Sequence, residues 1–498
     1  MSINLLLTIL SPLNLLMLNI GVATGIIIGA LPGLTVVLAI TILLPLTFGM
    51  DSITGMFLLL GAYCGGVYGG SFTAILINTP GTPAAAATVI DGYPMTQKGR
   101  SGDALLAALI ASVFGGVISC FSLMFIAPQL AKVALSFGPP EYFALCIFGL
   151  SMVSSISGTS VLKSLIMAST GLFLSTVGVD ATEAVPRFTF GAMDLFAGIN
   201  PVILMLGVFA ISEMLEKSRL VMCPVKKISQ ISKVTIKLKD FLFYWKTLIL
   251  SSLYGVFIGA TPGTGGAIAA FFSYREAKRR SKSPEKFGTG EIEGVIASET
   301  ANNAVTGATL IPLLTLGIPG DIGVAVMLGA LLMQGIMPGP ELFASDRSWV
   351  YSIMGGLMVA NIFMLFQGLF FIRIFAKVIK LSNVILIPSV MILCTIGAFA
   401  VINSAFDIYL MLGFGLFGYL LRRYDFPIPP LAIALVLGSL TENNLRRSLI
   451  LSRGNVSIFF TRPLSLVFLI MAIMSIIFPF IKSIIMYLKE QKSVEEAK

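Results

Sequence analysis

The sequence predicts an all-α polytopic membrane protein of about ten to twelve membrane segments, built as two inverted repeats with broken helices and re-entrant hairpins. Three observations predict it. The chain is 56% hydrophobic and 11% charged, where a soluble domain carries about 25% charged residues. Apolar runs at 104–127, 349–372 and 464–481 exceed the roughly 18 residues that mark a spanning candidate. A Pro-Gly turn also recurs four times inside long apolar stretches, as Leu31-Pro32-Gly33-Leu34-Thr35, Asn78-Thr79-Pro80-Gly81-Thr82, Thr261-Pro262-Gly263-Thr264-Gly265 and Ile318-Pro319-Gly320-Asp321. Paired broken helices in two halves of one chain point to a transporter's binding site.

Composition excludes several function classes. The formal net charge is +9, but Lys and Arg cluster between apolar runs. That pattern marks cytoplasmic loops and argues against nucleic-acid binding. Five Cys without a CxxC pair and the lack of His leave no certain metal site, no disulfide framework and no His-based triad. There is no GxxxxGK[ST] loop, so nucleotide drive would need another subunit. No cofactor is expected beyond Na⁺ or H⁺ as a coupling ion. An intramembrane aspartyl protease would need two facing Asp. Asp321 and Asp407 are the one tempting pair, and Asp407 reads as a loop residue between spans, so the chain is expected not to be an enzyme. Residues 1–14 carry no positive stretch and no cleavage site, and do not read as a removable signal peptide.

The chain divides into a first membrane repeat (1–215), a basic cytoplasmic linker (216–246), a second membrane repeat (247–488) and a charged tail (489–498). The linker holds Lys217, Arg219, Lys226, Lys227, Lys233, Lys237, Lys239 and Lys246. The duplication is carried by residues 25–33, which align without gaps on 255–263, and by Asp91-Gly92-Tyr93-Pro94, which echoes 334–338. Charge implies the inversion. Segment 247–274 has basic residues on both flanks, and a single crossing cannot have both ends on one side. A re-entrant hairpin with its tip at Pro262-Gly263 can. Arms of about 10–15 residues, roughly 15–22 Å, are too short for a ~30 Å core. Segment 15–48 lacks basic flanks and precedes Asp51, so its hairpin would enter from the outer face. The same rule puts Lys98, Arg100, Lys163, Arg373, Lys377, Lys380, Arg422 and Arg423 inside, and Lys132, Asp180, Glu183, Glu341 and Asp346 outside. Residues 427–440 stay unassigned. Both their flanks are basic, with Arg446, Arg447 and Arg453 following, and a further partial penetration is one reading. The side of the tail is open.

A hairpin tip offers two kinds of site. The returning arm's N-terminus points unpaired N–H groups and partial positive charge at the cavity, which suits a carboxylate. The incoming arm's C-terminal carbonyls suit Na⁺. Gly33, Gly81, Gly263, Gly265, Gly266 and Gly320, beside Pro32, Pro80, Pro262 and Pro319, allow close backbone approach. Thr35, Thr79, Thr82 and Thr264 add hydroxyls. The alternative is that these turns only kink spanning helices. Asn302 and Asn303, in the polar run 298–307, offer donors and acceptors for Na⁺ or a carboxylate, or serve helix packing. Glu299 lies either at the interface or deep, where a carboxylate is functional by default. Asp321 is either a helix N-cap or a proton or cation site. Asn302, Asn303 and Asp321 are the ion-coupling candidates.

The stretches 255–263, 282–294, Glu299-Thr-Ala-Asn-Asn303 and 310–320, with Gly29-Ala-Leu-Pro-Gly-Leu-Thr35, Tyr68-Gly-Gly-Ser71, Pro80-Gly-Thr-Pro83 and Asp91-Gly-Tyr-Pro94 in the first half, resemble the large permease subunit of the tripartite tricarboxylate transporter family. The resemblance covers nearly the whole chain. It implies a multi-pass permease of a prokaryotic plasma membrane, similar to ion-coupled secondary carriers. Such a permease works with a small membrane subunit and an extracytoplasmic solute-binding protein, and imports a small organic acid such as a tricarboxylate or dicarboxylate. Elevator-like alternating access is expected by analogy, and a homo-oligomer is allowed. Three departures stand out. Ser298 and Thr300 flank Glu299 where the family usually has Pro and Ser. Asp321 stands where a small Ser is common, and Gln334 where a His is frequent. Asp321 leaves room for a less charged acid, a zwitterion or proton coupling. Two rival readings are a carrier without a binding protein and a passive channel.

Overall fold

The computed structural model describes residues 3–156, 161–180, 182–219, 231–263, 265–378 and 383–477. Thr264, Lys226, Lys227, Lys380 and the tail 489–498 lie outside the described residues. The fold is all-α, and the one sheet among the described residues is a short antiparallel ribbon of β1 (Gly178–Val179) and β2 (Pro186–Arg187). In chain order the helices begin with α1 (Ile3–Ile9), α2 (Pro12–Gly29), α3 (Val36–Leu43), α4 (Ser52–Ile77), α5 (Ala85–Gln97), α6 (Ser101–Ala134), α7 (Pro139–Ile156) and α8 (Val161–Ser175). Next, α9 (Pro201–Met205) continues through a π-helical turn into α10 (Ser212–Ser218). The second half holds α11 (Trp245–Gly259), α12 (Gly265–Arg280), α13 (Ile292–Ala308), α14 (Leu310–Leu316), α15 (Ile322–Met333), α16 (Pro340–Ser345), α17 (Arg347–Val378), α18 (Asn383–Ile402), α19 (Ala405–Arg423), α20 (Pro429–Leu451) and α21 (Ile458–Thr461). A last apolar helix, α22, covers Pro463–Ile477.

Seven helices among the described residues are long and apolar enough to cross a membrane: Pro12–Gly29, Ser52–Ile77, Ser101–Ala134, Lys239–Gly259, Arg347–Phe370, Val384–Val401 and Ala405–Arg423. Shorter apolar helices accompany them. The protein is therefore a polytopic helical membrane protein. One sequence expectation needs correction. The incoming hairpin arms are not too short to cross, because α2 alone has 18 residues, and α11 continues a 3-10 turn to make a 21-residue apolar run. A turn at Leu238–Tyr244, drawn from what reads as linker, supplies the extra length.

Two compact units result, one of Met1–Leu135 with Met205–Leu416, the other of Ser136–Leu204 with Phe417–Lys498. In the first unit α4 is buried along its whole apolar window, as befits a helix that is apolar on every side. Its contact with α2 is made by glycine. Gly21, Gly25 and Gly29 on α2 face Gly61, Gly65 and Gly69 on α4, each set spaced by four. A Cβ on Gly25 would lie 2.7 Å from the Gly66 nitrogen, and one on Gly61 would lie 2.8 Å from the Val22 nitrogen. Lipid gives no hydrophobic drive between spans, so close backbone packing of this kind must supply the attraction. The helix α13 is gripped similarly, with Gly115 of α6 and Gly255 of α11 against Ala304.

In the second unit α8 and α20 run parallel. The Lys163 ammonium donates to the Tyr424 carbonyl at one end (2.7 Å), and the Arg446 guanidinium meets Asp180 at the other (2.7 Å). Arg187 also pairs with Asp180 (3.1 Å) and with Glu442 (2.6 Å). A second parallel pair is α7 with α22, joined by Arg462 to Glu141 (3.3 Å) and by Ser475 to Ser151 (2.7 Å). The segment 427–440 is thus the apolar first half of a 23-residue helix. Charge counting left it open because basic residues flank the apolar half on both sides, whereas the helix runs on through Arg446 and Arg447 to Leu451. Asp407 is likewise not a loop residue. It lies in the first turn of α19 and is 4% exposed.

Candidate functional site

All four Pro-Gly turns are helix breaks, and all lie in the first unit. They separate α2 from α3, α4 from α5, α11 from α12, and α14 from α15. Local chemistry explains each stop. Asn78 ends α4 in the left-handed region (φ 57°), the following Thr79 N–H closes on the Thr73 carbonyl (3.2 Å), and Pro80 cannot resume the ladder. Gly317 ends α14 at φ 73°, its N–H on Leu313 and that of Ile318 on Pro312, a left-handed C-terminal cap. Asp321 then starts α15, its carboxylate accepting from the Val324 N–H (2.8 Å).

The third and fourth turns touch, since the Gly263 N–H donates to the Gly320 carbonyl (2.7 Å). Pro262, Pro319 and Gly320 are buried there, and Gly265 is half-buried with open space around its Cα. The second turn lies on α4 and on the end of α2. The Gly81 N–H reaches the Gly70 carbonyl (3.3 Å), the Thr82 hydroxyl accepts from Ala85 (3.3 Å), and a Cβ on Gly70 would meet Thr82. Just beyond it, Ala84 faces Gly266 at the start of α12, with 3.4 Å to a Cβ placed there. Thr79 bonds locally to the Ile77 carbonyl (3.4 Å). The first turn is held differently. The Lys217 ammonium donates to the Pro32 carbonyl (2.6 Å), and a Cβ on the exposed Gly33 would meet nothing but that ammonium, at 3.6 Å. Thr35 precedes α3 as its cap without a side-chain bond. Ile40 of α3 and Tyr63 of α4 both reach Gly323, two residues past the fourth turn.

Asn302 and Asn303 are adjacent on α13 and face different neighbours. The Asn302 carboxamide oxygen lies against Gly266, and its amide nitrogen, in a side chain 3% exposed, has no partner among the described residues. Asn303 donates to the Ser112 hydroxyl (2.8 Å) and to the Glu299 carbonyl (3.0 Å). The 0%-exposed Glu299 accepts from Thr88 (2.5 Å), Ser112 (3.2 Å) and Asn303 (3.4 Å). Glu299 is thus enclosed by α5 and α6 rather than open to water. The buried Tyr68 and Thr300 hydroxyls also lack a partner among the described residues. Asp321 is a cap and more, since the Tyr63 hydroxyl donates to its carboxylate and bonds the Thr309 hydroxyl (3.0 Å).

Sequence reasoning missed Lys217, which reads as one linker charge among many, and the hydroxyl partners Tyr63, Thr88 and Ser112. Their signal was a polar side chain inside an apolar run, which is weak one residue at a time. The arrangement offers an unpartnered carboxamide and one ammonium around broken helices, a set suited to holding an organic anion.

A family model, the tripartite tricarboxylate transporter TctA family, matches residues 15–433. An "uncharacterized 52.8 kDa protein in TAR-I ttuC' 3'region" of Agrobacterium vitis is 38% identical over 477 residues, 96% of this chain and 95% of the relative. An "uncharacterized protein in TAR-II ttuC' 3'region" of the same organism is 36% identical over 230 residues, 46% of this chain and 95% of the relative. No solved structure matches. The family is one of bacterial membrane transporters, not enzymes, and its tripartite organisation implies a small membrane subunit and a solute-binding protein as partners. With a match over most of its length and helices long enough to span the plasma membrane several times, the chain belongs to the tripartite tricarboxylate transporter TctA family.

Proposed function

We propose that this protein is the carrier subunit of a symporter that imports a small organic acid, a tricarboxylate or dicarboxylate, driven by Na⁺ or H⁺. The observation that carries the reading is the gathering of four broken helices in one unit, with Gly263 on Gly320 and the unpartnered Asn302 amide beside Gly266. Substrate is held by the amides after Pro32-Gly33, Pro80-Gly81, Pro262-Gly263 and Pro319-Gly320, by Thr35, Thr79, Thr82 and Thr264, and by Asn302. Asn303 acts from behind through Glu299, and Asp321 with Asn302 and Asn303 supplies the coupling-ion chemistry. The two membrane repeats, 1–215 and 247–488, are inverted, and elevator-like movement of one part against a fixed frame gives alternating access. The solute-binding protein delivers the acid from outside.

Reconstitution with the binding protein tests this. Labelled organic acid should accumulate against unlabelled acid in counterflow, and Asn302→Ala should reduce it at least tenfold. Flux without counterflow would indicate a channel, and full activity of Asn302→Ala would remove the site. A second reading rests on Asp321. A carboxylate bonded to Tyr63 beside the fourth turn disfavours a trianion and favours a less charged acid, a zwitterion or H⁺ coupling.

A further inference from the structure

We propose that the groove between α11 and α12 binds the headgroup of an anionic phospholipid, with an acyl chain laid along α11. The groove has a volume of about 1050 Å³ and takes its walls from the turn before α11, from α12 and from the start of α13. Lys246, Arg280, Lys282 and Lys286 converge on it. All four are exposed, and none has a carboxylate within ion-pair distance among the described residues. The groove holds three acids as well. Glu276 pairs with Arg279 (2.6 Å), Glu293 accepts from Thr247 within the lining (2.5 Å), and Glu291 accepts from the Glu293 N–H at the start of α13 (3.5 Å). None of them reaches the four cations, which leaves those cations available to an external anion.

The neighbouring surface decides between a free anion and a lipid. Ile249, Leu253 and Phe257 are spaced by four on α11 and are 41%, 54% and 78% exposed, one stripe leading away from the basic mouth. Phe271 and Phe272 line the α12 side and are also exposed. At the mouth Phe243 and Trp245 stand out, and the Lys246 ammonium is 5.6 Å from the Trp245 ring. Aromatic rings with basic side chains at the end of an apolar stripe are the chemistry of the membrane–water boundary, where basic pockets take anionic headgroups. Phosphatidylglycerol satisfies both halves, one phosphate diester for the cations and hydrocarbon for the stripe. Phosphatidylcholine carries a cation into a basic mouth, and inorganic phosphate leaves the stripe uncovered.

The test is native mass spectrometry of the delipidated full chain with phosphatidylglycerol, phosphatidylcholine or inorganic phosphate. Phosphatidylglycerol should be retained at least tenfold more than phosphatidylcholine. R280Q/K282Q/K286Q should lose that preference at an unchanged melting temperature, and L253S/F257S should weaken retention at least threefold. Should the triple variant unfold, K286E alone should cut retention at least threefold. Equal retention of both lipids, an undiminished preference in the basic variants, or displacement of phosphatidylglycerol by millimolar inorganic phosphate each overturns the proposal.

Discussion

Asn302 and Asn303 carry the same side chain one residue apart, and the helix turns them to unlike surroundings. About 100° of rotation per residue sends Asn302 to Gly266 and Asn303 to Ser112 and Glu299. Their adjacency was legible in the sequence, but their division of labour was not. Glu299 is the clearest gain at this scale. Its oxygens meet hydroxyl and amide donors from three helices, and an ionisable side chain so fully enclosed in a helical membrane protein points to function. Glu299→Gln keeps the shape and should leave folding intact while lowering uptake at least tenfold in proteoliposomes. Lys217 gives a second prediction. A charge-assisted bond is worth about 1.5–3 kcal/mol, so Lys217→Gln should raise KM for an organic anion roughly 10- to 100-fold with Vmax largely kept. A loss confined to Vmax would make the residue a latch for the first turn. Asp321→Asn retains a good cap, so stability should hold. An altered pH or Na⁺ dependence of uptake would identify the carboxylate as part of ion coupling.

Among elements, the α2–α4 contact depends on the absence of side chains. Gly65→Leu would drive its Cβ into Val22, whose Cα lies 3.0 Å from an ideal Cβ there. Overpacking costs typically about 1–3 kcal/mol, and here backbone rather than a flexible chain end must yield. The expected result is a lower melting temperature and reduced membrane expression, while the same change at Gly413, with open space around it, should be neutral. The link between the ends of α8 and α20 is electrostatic. The Asp180 carboxyl is held below the usual carboxylate range by the N–H groups of Glu183 and Thr182, then by Arg446 and Arg187. A depressed folded-state value contributes stability above the unfolded value of about 4, and that contribution is lost as pH falls through the folded value. Asp180→Asn should therefore lower the thermal midpoint at pH 7, and the gap to the parent should narrow as pH falls below about 4. A gap independent of pH would assign the loss to packing.

For the whole molecule, the helical membrane character was written in composition and periodicity, because lipid leaves a spanning chain few solutions. The four broken helices were equally plain, since Pro removes a donor and Gly admits left-handed backbone wherever they stand. Sidedness is a matter for experiment. Single Cys at Lys239 and at Arg279 should label from the same face if α11 and α12 form a hairpin, and labelling from opposite faces would end that topology. What the sequence could not yield is which distant residues meet. Gly263 finds Gly320, Lys217 finds Pro32, and Arg446 finds Asp180. Each pairing joins residues 57 or more positions apart, and local propensity is blind to such partners. The sequence by itself determined what every segment can do alone: span, break, cap or carry charge. Only the tertiary structure decided which buried polar groups are satisfied and which, like the Asn302 amide, are left facing a broken helix. That distinction comes from long-range packing, which sets the solvation of each group.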